Sequence, residues 1–95
     1  MRYLAVTRSR GPAWDHSRSL DEQDGFAEHA SFMNALVAEG FIVLGGPLDD
    51  EESVLLIVDA PTEHAVRTRL AGDPWTATGL LELARVQEWE ILLGG

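Results

Sequence analysis

The chain has no cysteine and no lysine. Without cysteine there is no disulfide framework, no thiolate nucleophile and no thiolate metal ligand. The seven basic residues, all arginine, face sixteen acidic ones, and the net charge is −9. The arginines (2, 8, 10, 18, 67, 69, 85) are scattered and make no basic stripe. A surface of this sign repels phosphate backbones and anionic membranes, so neither nucleic acid nor membrane is expected as a partner. Long apolar runs are lacking as well. No stretch is long enough to span a bilayer, and the N-terminal MRYLAVTRSR has no apolar signal region. The expected location is the cytoplasm. Repeats and low-complexity tracts are also missing.

What is present fits one compact domain over residues 1–95. A domain of this size buries roughly 65% of its unfolded surface, so its core is thin and self-association is a natural supplement. RYLAVTR (2–8) reads as a strand with Leu4 and Val6 on one face and Tyr3, Ala5 and Thr7 on the other. SRGPAWDHSR (9–18) reads as a long loop that carries Trp14 and His16. Ser19 and Glu22 fit a capping box, and a helix follows to about Glu39, with Gly40 as its terminator. Gly25 weakens its first turn, which allows a later start. Phe26, Ala30, Met33 and Val37 make its apolar stripe.

FIVLGGPL (41–48) and SVLLIVDA (53–60) read as strands joined by the solvated acidic turn DDEE. APTEHAVRTRLAG (60–72) reads as a helix with Pro61 early and Gly72 at its end. Asp73-Pro74 suits the cap and first position of one more short turn, and residues 80–93 supply the last strand. The order β-α-β-β-α-β is ferredoxin-like: an α+β fold, with a four-stranded antiparallel sheet carrying two helices on one face. FIVL and VLLIV are apolar at every position, so both sheet faces want burial. Two helices cover one face. A second copy of the sheet is the simplest cover for the other, which predicts a sheet-to-sheet homodimer.

His29 lies three residues after Phe26 and four before Met33, inside the apolar stripe. A titratable ring there needs a partner. It is either a core histidine bonded to backbone or a reactive group. Asp73 is either a cap alone or a cap whose carboxylate also accepts from His29. The second role would fix the imidazole tautomer and raise its basicity. GGPL (45–48) is either a strand end or backbone that a ligand approaches closely. Trp75 and Trp89 read as core or interface residues, and Trp14, in its loop, as a pocket residue that leaves stability intact when truncated. Trp14, Gly46, Pro47 and Trp75 form the expected substrate-binding set. His16, His29 and His64 show no metal-ligand spacing, and no metal or organic cofactor is called for.

His29, LVAEG ending at Gly40, GGPL, DPW and the closing strand with Trp89 together resemble the YciI-like (YCII-related) domain family. The resemblance covers nearly the whole chain. It implies a dimeric α+β barrel and a pocket lined by a His-Asp pair, here His29 and Asp73. The activity it implies is a small-molecule lyase or isomerase working by proton transfer at His29, with an unidentified small-molecule ligand. A non-catalytic ligand-binding or regulatory dimer and a cofactor-free oxygenase are the other expectations. The loop 9–20 is longer than in the shortest members of the family.

Overall fold

In the computed structural model, which describes residues 2–94, strand β1 (Tyr3–Arg10) leads into a long loop and a 3-10 turn (Leu20–Glu22). Helix α1 (Phe26–Ala38), strands β2 (Ile42–Pro47) and β3 (Ser53–Asp59), helices α2 (Glu63–Leu70) and α3 (Pro74–Thr78), and strand β4 (Leu81–Glu88) follow. The sheet order is β2-β3-β1-β4, with every neighbour antiparallel. The ferredoxin-like α+β arrangement is therefore present, with three helices rather than two. The third exists because Asp73-Pro74 starts a separate short helix instead of extending α2.

Alternation along β1 sets the inner face of the sheet. Leu4 and Val6 pair with Val58 and Leu56, and all four are buried beneath Leu36 of α1 and Val66 and Leu70 of α2. Burial of these side chains drives the layer packing, at about 1.5–3 kcal/mol for each large aliphatic. The opposite face carries Ala5, Leu55 and Ile57.

Local chemistry moves several boundaries. The Ser19–Glu22 pair caps the 3-10 turn, where Glu22 Oε1 accepts from the Ser19 N–H at 3.0 Å. The α-helix starts later because Gly25, at φ 74°, breaks the chain direction just before Phe26. Pro61 precedes α2; Thr62 is its cap and accepts from the Ala65 N–H. β4 ends at Glu88, short of residue 93. The apolar stripe of α1 also needs correction. Leu36 is the buried residue of this helix and Val37 is 52% exposed. Of the stripe, Phe26 packs on the Trp75 cluster, Met33 meets both the core and an open cleft, and Val37 lines the cleft, while Phe32 and Leu36, one step round the helix, meet the core. No helix among the described residues is long and apolar enough to cross a membrane.

Candidate functional site

The inner face of β1 changes character halfway along. After Leu4 and Val6, the same alternation brings Arg8 and Arg10 to the helix side. Arg8 is 1% exposed. A buried arginine needs a counter-charge, and Asp73 supplies it. Arg8 Nη1 donates to Asp73 Oδ2 at 2.8 Å, and Nη2 donates to Thr76 Oγ1 at 2.8 Å. The Thr76 hydroxyl donates in turn to the Leu70 carbonyl at 2.9 Å.

Asp73 is wholly buried and does three jobs at once. Its Oδ1 accepts from the Trp75 N–H at 2.9 Å and caps α3. Its Oδ2 takes the Arg8 guanidinium. Both oxygens lie 2.9 Å from Nδ1 of His29, forty-four residues away in the chain. Burial alone would raise the Asp73 carboxyl above its ordinary range. The hydrogen bonds from His29, the Trp75 N–H and Arg8, with the arginine's charge, outweigh burial and hold it below that range. An ionised carboxylate only accepts, so Nδ1 of His29 carries the hydrogen, and in the neutral ring Nε2 keeps its lone pair.

Packing fixes the ring plane. His29 stacks on the Trp75 indole, with centroids 3.8 Å apart and 6° between planes. Trp75 is held by its Nε1–H, which donates to the Asp24 carbonyl at 2.7 Å. Trp14 meets Trp75 edge to face at 5.7 Å. The loop before α1 is pinned by Gln23, whose buried side chain bonds both the N–H and the carbonyl of Asp15. Within this largely exposed loop Trp14, with Gln23, is buried. Trp14 is 7% exposed and belongs to a second apolar cluster with Trp75, Leu80 and Leu81. That burial argues against the expectation that Trp14 truncation spares stability.

A cleft of about 320 Å³ opens beside this pair. His29, Trp14 and Trp75 line it together with Gly46 and Pro47, and α1 adds half-buried Met33 and exposed Val37. All six residues read from the sequence as site residues thus meet here, with Asp73 behind His29. A Cβ at Gly46 would meet nothing within 4 Å, whereas one at Gly45 would lie 2.7 Å from Leu56 Cδ2. The glycine required by close packing is therefore Gly45. Trp89, expected in core or interface, is 46% exposed on the outer side of the sheet. His64 lies on the exposed face of α2 beside Thr68. Among the described residues, no group of three His, Cys, Asp or Glu is arranged to hold a metal ion.

Arg8 is the residue that sequence reasoning missed. Its signal was available: an arginine at the next alternate position after two core residues of a strand. Charge on the buried face of a sheet calls for a buried partner of opposite sign.

No curated protein matches this chain. A solved structure of the 5-chloro-2-hydroxyhydroquinone dehydrochlorinase TftG from Burkholderia phenoliruptrix AC1100, in complex with 2,5-dihydroxybenzoquinone, is similar to it. The two are 28% identical, with 95% of this chain and 94% of that one covered and a TM-score of 0.65. The model of the YCII-related domain matches residues 1–90, and the chain belongs to that family.

Proposed function

We propose that this chain, acting as a single domain, is a small-molecule lyase that eliminates hydrogen chloride, or a similar acid, from a hydroxylated ring, with His29 as its acid–base group. The observation that carries the reading is the hold on His29. Nδ1 is engaged by a buried carboxylate, the ring is clamped against Trp75, and the histidine borders an apolar cleft. Likeness to a dehydrochlorinase over nearly the whole chain supports the choice of reaction. Nε2 takes a proton from a ring hydroxyl and returns it to the carbon that bears chlorine. Loss of a second hydroxyl proton then expels chloride with the C–Cl electron pair. The net change is loss of HCl and formation of a quinone, with no external oxidant.

Asp73 stabilises the imidazolium formed midway, and Arg8 keeps Asp73 ionised and in position. Trp14, Gly46, Pro47 and Trp75 shape the ligand space. The test is chloride release from a chlorinated hydroxyhydroquinone. His29→Gln should lower the rate by about 10²–10⁴-fold. Wild-type release no faster than in buffer would sink the lyase reading. Saturable binding without release would leave a ligand-binding module instead.

The same reading includes a homodimer through the outer sheet face. Leu44 on β2 is 69% exposed there, and across the sheet Trp89 is 46% exposed, with Leu55 and Ile57 of β3 on the face between them. Large apolar side chains exposed on one sheet face favour a partner. Sedimentation equilibrium should give twice the chain mass, and Leu44→Asp should shift it to the monomer. A monomer in the unmodified protein at micromolar concentration would remove the dimer.

A further inference from the structure

The cleft differs in sign from the rest of the molecule. Sixteen acidic residues are spread along the chain, yet none of the residues lining the cleft is acidic. Two of the seven arginines line it, on the inner face of β1 beside His29. Their states are unlike. Arg8 is neutralised by Asp73 at 2.8 Å. Arg10 has no carboxylate partner among the described residues, although it sits in a chain with more than twice as many acids as bases. Its guanidinium lies over the Trp14 ring, 4.4 Å from the centroid. Cation–π attraction holds a guanidinium over an indole face without using its N–H donors on the ring's edge. Five donors in a planar fork match a carboxylate or a phenolate edge-on.

We propose that the cleft selects small planar anions, a phenolate, enolate or carboxylate on one ring, and that Arg10 reads the charge. This rests on the cleft being the ligand site and deepens the reading above by assigning the charge of the substrate. The surrounding negative surface repels such an ion elsewhere. The apolar walls of the cleft take the ring, and Arg10 takes the anionic oxygen. Arg10 is thus a specificity-determining residue, separate from the Arg8–Asp73–His29 relay.

The test compares benzoate with benzamide, which share a shape and differ in charge. Binding is followed by NMR shift changes of the His29 ring and the Trp14 indole. Benzoate should bind about tenfold more tightly, as a charge-assisted hydrogen bond replaces a neutral one. The preference should shrink with added salt. Arg10→Gln should erase it, and Arg10→Lys should keep most of it, with the circular dichroism of both variants unchanged. Equal affinities, no binding of either probe at His29, or a preference that survives Arg10→Gln would each overturn the proposal. The probes carry no leaving group. Selectivity for benzoate without chloride release from the chlorinated substrate would therefore sink the lyase reading and leave the anion site standing; turnover without selectivity would do the reverse.

Discussion

Two halves of one strand face serve opposite ends. At the first half of β1, Leu4 and Val6 vanish into an aliphatic core under α1 and α2. At the second half, Arg8 and Arg10 lie on the same face, near an apolar cluster of Trp14, Trp75, Leu80 and Leu81. The first half stabilises by removing apolar area from water. The second carries charge into the interior, where Asp73 and Thr76 take the two Nη groups of Arg8 while its buried Nε has no partner among the described residues. The contrast shows where this small fold concentrates its cost: at the end of the sheet where a histidine, an aspartate and an arginine converge.

The sharpest way to break that contrast is to remove the cation. Arg8→Met leaves the Asp73 carboxylate buried with less compensation, and the expected loss is about 3–5 kcal/mol in urea unfolding. Asp73→Asn strands Arg8 in turn. The double variant should lose less than the sum of the two, because neither charge remains. Strict additivity would show that the two residues act independently and would undo the account of the polar end.

Acid should loosen the same end, with a smaller effect. The folded-state pKa of Asp73 is depressed, so its contribution is complete above the ordinary carboxylate value of about 3.9 and fades as pH falls through the lower folded value. Over that window the unfolded chain binds more protons than the folded one. Stability measured against pH should therefore fall more steeply on the acid side in the wild type than in Asp73→Asn. Asp15, Glu22 and Asp50 are also held low by hydrogen bonds and remain in both proteins, so the difference between the two curves isolates Asp73. Parallel curves would remove the assigned cause.

The smallest expected effect separates neighbours in β2. Gly45→Ala presses a methyl against Leu56 and should cost about 1 kcal/mol, since the end of that side chain can give way. Gly46→Ala points into open space and should stay within about 0.5 kcal/mol. A larger loss at Gly46 than at Gly45, read from thermal midpoints, would contradict the packing on which the cleft wall depends.

Much of this could be read from local chemistry. Alternation in β1 placed Leu4 and Val6 together, Asp73-Pro74 marked a helix start, and the element order set the sheet topology. His29 and Asp73 stood out as groups that needed an explanation. Other features could not be read in this way. Helical spacing groups Met33 and Val37 on one face of α1 but cannot say whether that face meets a core or a cleft. A Gly/Pro loop with a tryptophan reads as a pocket element, but that Gln23 and Trp75 hold it depends on side chains brought together by the fold.

By itself, then, the sequence determined the elements, their order and the residue types available for chemistry, because caps, alternation and glycine breaks act over a few neighbours. Tertiary structure alone decided that Arg8, Asp73 and His29 meet. Those residues are separated by 65 and 44 positions, and their distances depend on strand pairing and helix docking. Only that convergence turns a helix cap into the shared counter-charge of an arginine and a histidine, because a carboxylate buried at the meeting point must be satisfied from every side.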